Sequence, residues 1–474
     1  MLGSQSPPRL WPRTLASRAV AVLTAASMVA AGTPTRAQEV IRGLPIIRDA
    51  EIEQLLKDYT APILKVAGLS HQNIQIVIIN DRSFNAFVAD GRRIFVNVGA
   101  LTQAKTPNEL IGVFAHETGH LAGGHLARMR EELARAETSA IIAMLAGLGA
   151  AVAGATSRGT AGDNAGQLGM AALTAPQSVL VHTLLSYQRA QEEQADKAGV
   201  KFLTETGQSP KGMYDTFKRF ADETIYQTPY IDPYLQSHPM PQERVNALEQ
   251  LAKTSPYWEK KDPPALQLRH DLMRAKLSGF IDRPDTVARR YPAADTSLAA
   301  RYARAIAAYR HSDLHGAVLQ IDALTQSDPG NPYFLELKGQ ALVENGRAAE
   351  AIPPLRRAAE LVPNATPIRV LLAQALVATK DPKAAAEAIP LLRVAVTREP
   401  DMPDGYSQLA LAYGERGDYA EADLASAQAA LANGDLKTAR ELAARAKTRF
   451  TTGSPGWVRA DDIVTFKPAN ANRF

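Results

Sequence analysis

The feature that most restricts how this chain can fold is a repeat in its second half. Asp328-Pro329, Val362-Pro363 and Glu399-Pro400 recur at intervals of 34 and then 37 residues, and Ala317 stands 34 residues before Ala351. Each interval reads as helix, turn, helix, as in Tyr333 to Asn345 followed by Ala348 to Leu361. A unit of that size cannot bury its apolar face alone, so neighbouring units must stack into an array. Asp381-Pro382-Lys383 is the expected place for the three additional residues of the longer interval. The turns Gly417-Asp418 and Gly434-Asp435 carry the array to about Phe450. The second half is therefore expected to be an all-α solenoid over 265–455 with a tail at 456–474, set off by a Pro- and Lys-rich linker from Thr254 to Pro264.

At 474 residues the chain has room for another domain and a processed leader. Arg9, Arg13 and Arg18 precede or open an apolar stretch from Ala19 to Ala31, and Thr35-Arg36-Ala37 offers small residues for cleavage before Gln38. Residues 1–37 read as a secretory signal peptide, because the apolar run is short and Ala-rich for an anchor. Its removal takes four of the 53 basic residues and none of the 49 acidic ones, which leaves a formally neutral mature chain. That balance provides no footprint for nucleic acid. With no cysteine, disulfides, thiolate ligands and a Cys nucleophile are excluded, so any metal must use His and carboxylates. Export without disulfides suits a bacterial envelope protein, most simply a periplasmic one.

Residues 38–258 mix strands and helices in an α+β, mainly helical pattern. Glu51 to Val66 has helical spacing, Ile74 to Ile79 reads as a buried strand, and Phe84 to Phe87 and Arg93 to Val98 read as short strands around an Asp90-Gly91 turn. The alternation at Phe95 and Asn97 makes Arg93 to Val98 the expected strand for an extended substrate to pair with. Pro107 opens a long helix. Thr138 to Ser157 carries no charge over 20 residues, enough to span a bilayer, but its Ala and Gly content drives insertion weakly. The segment 139–185 reads as a lid-like helical hairpin or one in peripheral membrane contact.

His116-Glu117-Thr118-Gly119-His120 lies on the helix that Pro107 opens. Residues four apart are separated by about 40° around a helix axis, so both imidazoles can point at one ion while Glu117 projects beside them as a base. A hydrolytic site needs a third protein ligand and an open position. A metzincin would supply His at position 126, but that residue is Leu126 and the nearby histidine is His125. A downstream glutamate is the remaining option, and Gln191-Glu192-Glu193-Gln194-Ala195-Asp196 provides it. Glu192 and Asp196 share a helix face, so the first can bind metal while the second orients a ligand histidine. Glu193 is the neighbouring alternative.

These motifs, followed by Ser237-His238-Pro239 and Glu243-Arg244, resemble the gluzincin family of CAAX prenyl proteases and HtpX-like peptidases. The multispan helices of the membrane members are absent, and the repeats resemble tetratricopeptide repeats. The resemblance covers most of the mature chain. It implies a zincin-type metalloprotease domain with a small sheet, then a tetratricopeptide solenoid. It also implies one Zn2+ per chain, with His116, His120 and Glu192 as ligands, Glu117 as base, and Asp196 as an important residue, as a proton donor or supporting a ligand. His238 has the place of a transition-state donor or of a displaceable fourth ligand that keeps the site latent. Arg244 either stabilises an oxyanion or pairs with a carboxylate. The implied function is a periplasmic endopeptidase for unfolded or misassembled envelope proteins, whose repeat groove engages the outer-membrane assembly machinery. Two other readings are a repeat-based chaperone with a latent site and a protease anchored in the inner membrane by Thr138 to Ser157.

Overall fold

Asp49 starts the first long helix, α1 (Ala50–Val66): its carboxylate accepts from the Ile52 amide at 2.9 Å, and Glu51 and Glu53 sit in the first turn, where the helix dipole favours negative charge. The computed structural model that shows this describes residues 44–129, 131–132, 188–225, 234, 237–311 and 313–467. The expected signal peptide and the 139–185 hairpin lie outside the described residues. Among the described residues, no helix is long and apolar enough to cross a membrane.

Four strands follow the β1-β2-β4-β3 order: β1 (Ile46–Ile47), β2 (Gln75–Ile79), β3 (Ala86–Asp90) and β4 (Arg93–Asn97). β3 and β4 form an antiparallel hairpin, while β2 runs parallel to β4 with Val77 beside Phe95. This corrects the expected substrate strand. β4 has β2 on one edge and β3 on the other, and Phe95 and Asn97 are both buried, so its backbone groups are already used. Alternation along a strand reports its two faces, whereas substrate pairing needs a free edge.

Beyond β4 come α2 (Val98–Gln103) and α3 (Pro107–Gly123). Thr106 caps α3 by accepting from the Glu109 amide, Pro107 occupies its first turn, and Gly124 closes it in the left-handed conformation at φ 61°. Every residue from Leu110 to Gly119 is buried, so α3 is an internal helix. Against it pack α4 (188–205), α5 (Lys211–Ile225) and, through α5, α6 (Gln242–Ala252). Two glycines set these approaches. A Cβ on Gly119 would lie 2.8 Å from the Ala195 carbonyl oxygen, and one on Gly112 would lie 2.6 Å from the Met213 backbone. Gly119 thus lets the helix bearing Glu192 lie directly on the helix bearing the two histidines.

The next helix, α7 (Pro264–Ile281), belongs to two cores. Met273 and Leu277 complete the core of α1, α3, α5 and the sheet, while Leu272 and Ala275 face the first repeat helices. His270 Nε2 donates to the Ala104 carbonyl at 3.0 Å, leaving Nδ1 to accept from Tyr59 Oη at 3.0 Å. Burial pushes His270 down to about 4, the neutral form this pairing requires.

After the short α8 (Pro284–Arg290) the repeats run as helix pairs: α9 (Leu298–Arg310) with α10 (Leu314–Ser327), α11 (Pro332–Glu344) with α12 (Ala348–Leu361), and α13 (Thr366–Ala378) with α14 (Pro382–Arg398). Then follow α15 (Pro403–Glu415) with α16 (Tyr419–Ala432) and α17 (Leu436–Arg449) with α18 (Pro455–Thr465). Gly346, Lys380 and Gly417 all have positive φ at matching turns. The three extra residues of the longer interval do not enlarge the Asp381 turn, as the sequence suggested. They lengthen α14 to 17 residues against 14 in α12. Three or four residues add one helical turn, which preserves the buried face. The packed array also passes the expected end of the solenoid at 455, because Ala460 and Ile463 of α18 join the core of α16 and α17.

Candidate metal centre

α3 supplies His116, Glu117 and His120, α4 supplies Glu192 and Asp196, the segment before α6 supplies His238, and the first turn of α6 supplies Arg244. All seven expected residues meet in one place. His116, Glu117, Glu192, Asp196, His238 and Arg244 are buried, and His120 is mostly so. The alternative, Glu193, points away with 61% of its side chain exposed.

His116 Nε2 lies 3.0 Å from His120 Nε2 and 3.3 Å from Glu192 Oε2, and His120 Nε2 lies 3.4 Å from Glu192 Oε1. His238 Nδ1 stands 3.3 Å from His116 Nε2 and 3.1 Å from each Glu192 oxygen. Four ligand atoms, one from each of these residues, lie within 4.8 Å of one another. Tetrahedral ligands at zinc bond lengths of about 2.0–2.1 Å are separated by roughly 3.3–3.4 Å. The observed set therefore fits a small divalent cation, and its chemistry is that of nitrogen and oxygen donors.

The other ring nitrogens are also engaged. His116 Nδ1 lies 2.9 Å from Asp196 Oδ1, and His120 Nδ1 lies 3.0 Å from His125 Nδ1, whose carbonyl accepts from Gln191 Nε2 at 3.1 Å. Such contacts fix ring orientation and leave Nε2 facing the common centre. Arg244 Nε and Nη2 donate to the two Asp196 oxygens at 2.7 and 2.8 Å, and Nη1 donates to the Pro239 carbonyl at 2.9 Å. Nη1 also lies 2.9 Å from Glu192 Oε2. One guanidinium thus holds both Glu192 and Asp196 of α4, a use of its planar fork that a lysine cannot copy.

Electrostatics separate the acidic groups. Burial pushes the Glu117 carboxyl up, opposed by His238 and His116. Burial acts the same way on Glu192, but His238, Arg244 and His120 outweigh it and hold that carboxyl well below its ordinary range. Asp196 is likewise lowered, chiefly by Arg244 against burial. Burial takes His120 down to about 3. For His116 burial is opposed by Asp196 and Glu192, which raise it to about 9, so a cation bound at Nε2 would displace a proton there.

Two residues escaped the sequence reading. Tyr234 is buried with its ring 4.7 Å from that of His238, and Phe217 of α5 meets the His116 ring edge-on at 5.1 Å. Phe217 was legible as part of the apolar face of α5 with Met213 and Phe220, but helical spacing does not say which face lies under His116.

Residues 47–252 match Peptidase family M48, and residues 302–366 match a tetratricopeptide repeat. A beta-barrel assembly-enhancing protease of Yersinia pestis is 24% identical over 88% of this chain and 83% of its own length. The protein of that name in Escherichia coli is 26% identical over 85% of this chain and 76% of its own length. A Vibrio cholerae relative is 29% identical over 48% of this chain, and that match spans 47% of the relative, about half its length. With the buried histidine and carboxylate cluster inside the first matched region, this chain carries a family M48 metallopeptidase domain followed by tetratricopeptide repeats.

Proposed function

We propose that the chain is a zinc-dependent endopeptidase of the periplasm, cleaving unfolded or misassembled envelope proteins while its repeats hold a component of the outer-membrane assembly machinery. The reading rests on His116, His120 and Glu192 meeting at 3.0–3.4 Å beside Glu117, a buried carboxylate outside the ligand group. Two His and one carboxylate are the ligand set that favours zinc among common divalent ions in hydrolytic sites. The names of the relatives, which concern beta-barrel assembly, support the envelope substrate class. The leader read at 1–37 supports the compartment. The peptidase domain is taken as 38–258, with 139–185 as a lid-like or membrane-contacting hairpin, and the repeats as starting at 265 and running through α18.

Zinc held here would lower the pKa of water to about 7 and polarise the scissile carbonyl. Glu117 takes the proton from the attacking water and delivers it to the departing amine nitrogen. Its burial serves this role, because a proton affinity raised toward the working pH allows both transfers. Asp196 orients His116, and Arg244 orients Asp196 and Glu192. Arg244 is consequently assigned a positioning role rather than that of an oxyanion donor, since each of its three nitrogens already has a protein acceptor.

His238 favours a latent resting state. With Nδ1 close to both His116 Nε2 and Glu192, it occupies the fourth corner of the ligand group, where water and substrate must enter. His238→Ala is expected to raise the degradation rate of casein or an unfolded porin severalfold in the purified mature chain. A fall to the rate of an inactive variant would instead make His238 a participant in the reaction. No cleavage by any form would sink the peptidase reading and leave a repeat-based chaperone.

A further inference from the structure

Outside the metal centre, Lys276 of α7 is 3% exposed and faces three carboxyl groups. Its Nζ lies 2.7 Å from Asp49 Oδ2, 3.3 Å from Glu51 Oε2 and 3.6 Å from Glu336 Oε2, and it sits 5.8 Å from the centre of the Tyr333 ring. Tyr302 Oη donates to Glu51 Oε2 at 2.9 Å. Asp49 and Glu51 come from the start of α1 in the peptidase domain, Tyr302 from α9, and Tyr333 and Glu336 from α11. Around this cluster Ala50 packs with Ala358 and Ile368, and Arg48 reaches Glu399 at 2.6 Å. The first helices of three successive repeat pairs, α9, α11 and α13, thus receive the beginning of α1.

We propose that this face of the repeats is a docking site for residues 48–51 of the same chain, and that the Lys276 cluster makes the contact a proton-sensitive latch between peptidase domain and repeats. Three ionised carboxylates against one ammonium would leave two uncompensated negative charges in a buried site, and protonating one carboxyl relieves this at least cost. Glu336 is the group placed to take that proton. Its Oε2 is buried without a hydrogen-bond partner and is the most distant of the three from Lys276. Burial first, then Asp49 and Glu51, push it up to about 8 against the pull of Lys276. Glu51 is also raised by burial but keeps the Tyr302 hydroxyl, and Lys276 stays charged because its carboxylates outweigh burial.

The direction follows from linkage. Released into solvent, Glu336 returns to its ordinary value of 4.5, so docking takes up a proton between there and about 8. The contact is tightest at low pH, weakens by up to about tenfold per pH unit through that window, and levels off above it.

Hydrogen exchange of the full mature chain tests this, with protection at amides 50–56 corrected for the intrinsic rate and the amides of α3 as internal control. Between pH 6 and 8 the protection at 50–56 should fall by up to about tenfold per unit while α3 holds. Glu336→Gln, neutral at every pH, should remove the slope and keep the protection. Asp49→Asn retains an acceptor for the Ile52 amide and removes one repelling charge, so its window should end at lower pH. A wild-type chain with no slope, or the same slope in Glu336→Gln, overturns the latch. An unchanged window in Asp49→Asn overturns it even where Glu336→Gln does not fold. None of these outcomes depends on the metal centre, so a failure here leaves the peptidase reading untouched.

Discussion

Glu117→Gln is expected to lower the turnover of the chain by about 10²–10⁴ and to leave its metal content unchanged. The amide has the size of the carboxylate but cannot accept the proton of the attacking water. Glu117 is not in the group of four that surrounds the cation position, so its neutralisation removes no ligand. Degradation of labelled casein, measured beside metal analysis of the same preparation, separates the two quantities. Loss of the metal together with activity would make Glu117 a ligand or a structural support, and undiminished turnover would assign the base elsewhere.

Arg244→Met is expected to act through stability. Arg244 holds both oxygens of Asp196 and reaches Glu192, and all three side chains are buried. Removing one partner of such a pair leaves uncompensated charge inside the protein and costs about 3–5 kcal/mol. Loss of the orientation that Asp196 gives His116 should also weaken metal binding by about 10–100-fold. Thermal unfolding and metal titration read these effects. A variant with wild-type stability and metal affinity but lower turnover would return Arg244 to the oxyanion role that sequence spacing left open.

The readable part of this protein was the part carried by local spacing. A spacing of four positions from His116 to His120, and of four from Glu192 to Asp196, places each pair on one helix face whatever surrounds them. A helix pair repeated every 34 residues specifies stacking. What was hidden depends on which elements become neighbours. Nothing in the alternation of Arg93 to Val98 says that β2 will run parallel beside β4 and close its second edge. His125 was read only as a metzincin ligand one position out of place, yet it lies against the second nitrogen of His120. Nothing in the local sequence around Lys276 marks it as a buried charge. Its three carboxyl partners are separated by up to 287 residues of chain, from Asp49 to Glu336, and meet only because α7 serves both cores.

The same geometry joins catalysis to packing. Gly119 lets α4 approach α3 closely enough for Glu192 to reach two imidazoles, while Arg244 holds Glu192 and Asp196 of that helix. α1 packs on α3 and, through Ala50 at its start, also meets the repeats. The metal centre and the repeats are therefore parts of one packed structure.

The central claim is tested most directly by the metal content and peptidase activity of the mature protein before and after chelation. The account predicts about one zinc per chain, casein cleavage that disappears with the metal, and recovery when zinc is restored. A chain that binds no divalent metal, or one that cleaves equally well after the metal has been removed, would contradict it.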